Sequence, residues 1–126
     1  MPIVKMARYK EFTELIGKRL SSDKYSHSVF TAEYISSFAE SIGVDHDQAV
    51  TAGLLHDLCR TMSSEELLQR AREYQVEMSE VQRALPMLLH GPVAAEECRR
   101  ELGIDDAVYE AIYWHTTGRP ELGLLG

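Results

Sequence analysis

The stretch Ala52-Gly53-Leu54-Leu55-His56-Asp57-Leu58-Cys59-Arg60 sets a histidine and an aspartate side by side at the end of an apolar segment. Few positions between Ala49 and Leu55 are polar, so a helix there is buried on most of its circumference. A charge taken into such surroundings has to be paired, hydrogen-bonded or bound to a metal. The doublet alone leaves two readings open: a metal-ligand pair on a core helix, or a His-Asp pair that hydrogen-bonds within the interior. Of the five histidines, His27, His90 and His115 share with His56 a place near a predicted helix end, beside an apolar stripe. Only His46 falls between two acids at a solvent-exposed helix start, and no function is assigned to it. Each of the others, taken singly, reads as an ordinary capping or core residue. Together with Asp57 they make the imidazole and carboxylate ligand set of iron, manganese and zinc. No two have the H-x-x-x-H spacing of a single-helix site, so the centre must be assembled from several helices, as in bundle cores.

The elements that would carry these residues are all helical. Ile3, Met6, Ala7, Phe12, Leu15, Ile16 and Leu20 recur at helical spacing and predict a first amphipathic helix, with a break near Tyr9. Ser21 to Lys24 reads as a connector, and Ser26 as the N-cap of a second helix that runs to Ser41 or Ile42 before Gly43. Its stripe of His27, Phe30, Thr31, Tyr34, Ile35, Phe38 and Ile42 is expected to face inward. Asp45 or Asp47 opens the third helix, which ends in the His-Asp doublet. Ser63 and Glu66 fit a capping box ahead of a surface helix through Leu67, Leu68, Ala71 and Tyr74. Ser79 caps a segment to His90 that Pro86 breaks or kinks, with Val81, Ala84, Leu85, Leu88 and Leu89 as its buried side. Gly91-Pro92 is read as its stop, with Pro92 starting a helix to Leu102 and Gly103 ending it. Asp105 opens the last helix, Asp106 to His115, with Val108, Ala111, Ile112 and His115 on one face, and a turn follows over Thr116 to Pro120. Nothing alternates at strand period. The expectation is an all-α bundle of about six or seven helices, a single domain over residues 1–126.

Composition narrows the partners. The 126 residues carry 13 Lys plus Arg against 20 Asp plus Glu, a net charge of −7. That balance disfavours a nucleic acid polymer or a membrane surface, which need a basic footprint, but leaves a small phosphate compound open. Cys59 and Cys98 lie in no C-x-x-C motif and read as reduced core thiols. With no apolar run of membrane-spanning length and no signal-peptide h-region at Met1 to Lys5, the expected compartment is the cytoplasm.

The ordered set of His27, His56-Asp57, His90 and His115, anchored by Ala52-Gly53-Leu54-Leu55-His56-Asp57, resembles the HD superfamily of metal-dependent phosphohydrolases. Leu88-Leu89-His90-Gly91 and His115-Thr116-Thr117-Gly118 resemble more narrowly the YqeK group, which hydrolyses diadenosine tetraphosphate symmetrically to two ADP. The likeness runs from about Tyr25 to Pro120. It implies an HD-domain helical bundle in which His27, His56 and Asp57 hold the first metal, iron or manganese. It implies that His90 and His115 hold a second metal or contact substrate phosphates. Arg60 matches the basic residue after the doublet and would neutralise a phosphate through its planar fork, while Thr116, Thr117 and Gly118 would offer hydroxyl and backbone donors. The chemistry implied is metal-assisted hydrolysis of a nucleotide, a dinucleoside polyphosphate or an ADP-like compound. Asp57 would orient the water or bridge two ions, and His90 or His115 would position the phosphate or protonate the leaving group.

One departure stands out. Family members continue past the His-Thr-Thr-Gly turn into a helix whose Leu-Ala-Asp motif supplies a last metal ligand, and this sequence reaches Gly126 without one; Glu121 stands in a different context. The chain thus resembles a member cut short at its C-terminus. Leu122, Leu124 and Leu125 read as an apolar tail, and a homodimer is one way to bury faces left uncovered. Two further expectations follow: a catalytically impaired domain that binds a nucleotide or a partner, and an HD enzyme acting on a nucleoside monophosphate or dNTP.

Overall fold

A computed structural model describes residues 8–115 apart from 38, 40, 42 and 44. The described residues form seven α-helices and one 3-10 helix, with no strand: α1 (Tyr9–Arg19), α2 (Ser22–Ser36), α3 (His46–Leu55), α4 (Ser64–Glu73), α5 (Glu80–Ala84), the 3-10 helix (Pro86–Leu89), α6 (His90–Leu102) and α7 (Asp106–Trp114). The all-α expectation is met. No described helix is long and apolar enough to cross a membrane.

Local chemistry accounts for most of the boundaries. Asp45, Ser63, Ser79 and Asp105 each cap a helix, their side-chain oxygens accepting from the backbone N–H three residues on. Ser63 with Glu66, and Ser79 with Gln82, close full capping boxes. Gly103, at φ 64°, ends α6 in the left-handed conformation that an L side chain resists.

α3 is the central element. Ala49, Val50, Ala52, Gly53, Leu54 and Leu55 are all buried, and the helix packs against α2, α7 and α1. Phe12 and Ile16 of α1, Leu89, Val93 of α6 and Ile112 of α7 join its side chains in one core. Full burial of each such leucine or isoleucine is worth roughly 1.5–3 kcal/mol. A Cβ on Gly53 would stand 2.9 Å from the Cα of Ala32, so α2 and α3 touch backbone to backbone at that point.

That close approach corrects the reading of α2. The helix starts a turn earlier than expected: Ser21, not Ser26, is its N-cap, and its oxygen accepts from Lys24 N–H. Its buried residues are Ser28 and Ala32, small enough to let α3 in, whereas Phe30 and Tyr34 are 65% and 61% exposed. Large rings on the contact face would have held the two backbones apart. Phe38 and Ile42 of the expected stripe, and Ile3, Met6 and Ala7 of the first helix, lie outside the described residues.

Other expectations are corrected in the same way. Pro86 does break its segment, but α5 buries nothing, and Val81 and Leu85 are 59% and 58% exposed. Five residues make one short turn-and-a-half, and only Leu89 of the 3-10 helix reaches the core. Gly91-Pro92 does not stop a helix; both lie in the first turn of α6, where proline loses no intrahelical bond. His46 is the first residue of α3 and its side chain is only 18% exposed, its Nδ1 lying 3.2 Å from Asp47 Oδ1.

Candidate metal centre

Three helices end or begin at one point. His56 follows the last residue of α3, Asp57 opens the turn beyond it, His90 is the first residue of α6, and His115 follows the last residue of α7. His27 approaches from the second turn of α2. Gly91 makes the meeting of α6 and α7 possible, since a Cβ there would lie 2.9 Å from Tyr113 O and 3.0 Å from Ile112 O.

Helix ends also orient the rings. The last carbonyls of a helix lack an N–H four residues on, and side chains take some of them here. His56 Nδ1 donates to Gly53 O, His90 Nδ1 to Met87 O and His115 Nδ1 to Ile112 O, each at 2.7 Å and each three residues back. A carbonyl only accepts, so the hydrogen of each neutral ring sits on Nδ1 and the lone pair is left on Nε2. A carbonyl that holds the Nδ1 hydrogen in this way fixes the ring and leaves Nε2 ready for a metal.

The bare nitrogens converge on Asp57. Its Oδ2 lies 3.4 Å from His56 Nε2 and 3.9 Å from His27 Nε2. Its Oδ1 lies 3.4 Å from His115 Nε2 and 3.5 Å from His90 Nε2. His90 and His115 present their Nε2 atoms to each other at 3.1 Å. With both Nδ1 hydrogens on carbonyls, neither neutral ring has a hydrogen to place between these nitrogens, and a proton or a metal ion bound there relieves the contact. Two ligand sets result, His27 with His56 and Asp57, and Asp57 with His90 and His115, the ligand atoms of each within 4.8 Å of one another.

The protonation pattern agrees. Burial pushes His56 down and so toward the neutral imidazole that coordinates. Burial alone would push Asp57 up, but the imidazoles of His115, His90 and His56 packed against its oxygens outweigh it and hold the carboxyl well below the ordinary range. Neutral nitrogen donors around a fixed anion are the donor set of a divalent transition ion, and the residues fit one.

The remaining predicted residues divide. Arg60 is tied to the same turn, its N–H donating to Asp57 O, and its guanidinium leans on Met87 Sδ at 3.1 Å, beside the segment that leads to His90. Thr116, Thr117 and Gly118 lie outside the described residues. Sequence reasoning missed Gly53 and Gly91 as spacers, although both flank the doublet or its partner histidine. It also missed the three carbonyl acceptors, which no residue type advertises. A cavity of about 430 Å³ lined by Arg8, Phe12, Asp47, Gln48, Thr51 and Asp105 lies at the opposite ends of α3 and α7 and includes none of these ligands.

Comparison with known proteins follows the same residues. The profile of the HD domain matches residues 25–124, which include His27, His56, Asp57, His90 and His115. Symmetrical bis(5'-nucleosyl)-tetraphosphatases resemble the chain: that of Halalkalibacterium halodurans is 32% identical over 113 residues, covering 89% of this chain and 60% of that protein. The Staphylococcus aureus enzyme is 34% identical over 109 residues, covering 86% of this chain and 56% of its own. The Bacillus subtilis enzyme is 30% identical over 117 residues, covering 92% and 62%. The chain therefore spans between 56% and 62% of the length of these curated relatives. A crystal structure from Clostridium acetobutylicum, described as a predicted HD superfamily hydrolase involved in NAD metabolism, superposes with a TM-score of 0.88 at 29% identity, covering 95% of this chain and 64% of that one.

Proposed function

The chain belongs to the HD domain family, and from that premise we propose that it is a metal-dependent phosphohydrolase of nucleotides, with symmetrical cleavage of diadenosine tetraphosphate to two ADP as its reaction. The observation that carries the reading is the convergence of the His27, His56, His90 and His115 Nε2 atoms on the two oxygens of Asp57. The names of the three relatives support the substrate.

The proposed first metal, iron or manganese, is held by His27, His56 and Asp57. His90 and His115 complete a second ion site with Asp57 or contact the substrate. A bound ion of this kind makes a water more acidic and neutralises charge on phosphoryl oxygens. The protein's own residues do the rest. Asp57, with one oxygen toward each ligand set, orients the attacking water or bridges two ions. Arg60 offers two parallel N–H donors to a phosphate. Thr116, Thr117 and Gly118 are proposed as further phosphate donors. The water oxygen bonds to one of the two central phosphorus atoms and gives a proton to the bare Nε2 of His90 or His115, the bridging P–O bond breaks, and that ring passes the proton to the departing ADP.

Metal analysis of protein purified without chelator, followed by chromatography of diadenosine tetraphosphate after incubation, tests this. ADP as the sole nucleotide product supports it. ATP with AMP would mean asymmetrical cleavage. Release of phosphate from a monophosphate or dNTP alone would point to another HD substrate, and binding without turnover to a domain that is catalytically impaired.

A further inference from the structure

Five large hydrophobic side chains stand exposed among the described residues: Phe30, Tyr34, Val81, Leu85 and Met87. They are not scattered. Phe30 and Tyr34 lie on α2, the helix that brings His27, and the other three lie on the segment that leads into His90. Phe30 and Tyr34 follow His27 at i+3 and i+7, so they share its side of the helix, about 5 and 10 Å further along the axis. Their rings are nearly parallel, 20° apart, with centroids separated by 6.2 Å.

We propose that Phe30 and Tyr34 are the nucleobase platform of this site: a nucleotide with its phosphates at the Asp57 cluster lays its base on the Phe30 ring, which Tyr34 backs. The proposal deepens the nucleotide reading above and rests on it. The size of the patch selects the occupant. On the exposed side of α2 the two rings are bordered by Ser26, Glu33 and Ser37, all exposed and polar. Such a patch falls far short of the surface that a stable protein–protein contact buries. It matches one flat ring system, and stacking on an aromatic face needs no pattern of hydrogen-bond donors around it. The patch also begins one helical turn from a metal ligand, so a molecule anchored there by phosphate has its organic part over α2.

Calorimetric titration of the manganese-loaded chain with ADP and with inorganic pyrophosphate, its base-free counterpart, tests the platform. The wild-type chain should bind ADP more tightly than pyrophosphate. Phe30→Ala should weaken ADP by about ten-fold, the scale of one lost base–aromatic stack, and leave pyrophosphate unchanged. Phe30→Leu, which keeps apolar surface without a π-face, should lose as much, and Phe30→Trp should retain ADP affinity. Because the ring is exposed, all three variants should melt like the wild type. An unchanged ADP affinity in Phe30→Ala overturns the proposal, as does an equal loss for both ligands, which would show Phe30 acting through His27. A wild-type dimer that dissociates in Phe30→Ala by sedimentation would also overturn it and assign the face to a second copy. Equal wild-type affinity for ADP and pyrophosphate removes the platform and leaves the phosphohydrolase reading standing; binding of neither removes both.

Discussion

α6 carries two buried polar clusters, and they are built on opposite rules. In its middle, Glu97 receives Arg19 in two parallel bonds of 2.6 and 3.1 Å, with Cys59 Sγ 3.7 Å from the same carboxylate. Glu96 beside it receives Arg99, Arg100 and the hydroxyl of Tyr109. Every acceptor there meets a donor from the chain. At the start of the helix, His90 joins His56, His115 and His27 around Asp57, and bare nitrogens face one another and a carboxylate. Buried polar groups are ordinarily satisfied within the fold. A cluster that the chain neutralises itself holds helices together, whereas one left short of positive charge is shaped for a ligand that brings it.

Breaking the histidine end should give the largest effect. Asp57→Ala is expected to reduce bound metal to background and diadenosine tetraphosphate hydrolysis by about a thousand-fold, the scale of losing a charge stabiliser at a reacting centre, with helical circular dichroism retained. Metal content by plasma emission and ADP release check it; full metal content in this variant would erase the contrast. Gly91→Ala should weaken metal binding by about 10–100-fold, the range of disturbed outer-shell support. The added methyl meets the carbonyls of Tyr113 and Ile112 and lies 3.3 Å from His115 Nδ1, so α7 must shift and take its ring away. Titration with manganese measures the change.

Adding metal should raise the melting temperature of the wild type, by an amount equivalent to about 2.7 kcal/mol at a hundred times the dissociation constant, and should leave Asp57→Ala unmoved. The Glu97 end should behave in reverse. Glu97→Ala strands the half-buried Arg19 and is expected to cost about 2 kcal/mol in denaturant unfolding, yet to keep its metal content and its metal-induced shift in melting temperature.

The smallest effect concerns Cys59. Burial, then the neighbouring Glu97 charge, pushes its thiol up to about 12, and burial raises Cys98 as well. A thiol reagent at pH 8 should therefore label neither cysteine until the chain unfolds. Rapid labelling of the native protein would mean that the Glu97 cluster is open to solvent.

Much of this was legible in the amino-acid order because it depends on neighbours within four residues. The caps at Asp45, Ser63 and Asp105 and the stop at Gly103 need only a side chain and its own backbone. The family was legible through the order of His27, His56-Asp57, His90 and His115. The inward stripe on α2 was misread because hydrophobic periodicity ranks Phe30 and Tyr34 above Ser28 and Ala32, while the packing obeys distance and admits only small residues opposite Gly53. α5 departs from the expected buried side because its five residues, with only Val81 and Ala84 apolar, bury none of their side chains.

By itself, then, the sequence determined the all-helical class, most of the caps and the residues that gather at the candidate site, through short-range hydrogen bonding and residue type. The tertiary structure alone decided that these ligands face one another. Three helix ends and the second turn of α2 had to be brought to one point by close crossings at Gly53 and Gly91, and three imidazoles had to spend their Nδ1 hydrogens on carbonyls three residues back. Convergence of this kind depends on how closely the helices cross, which packing sets and local spacing does not encode.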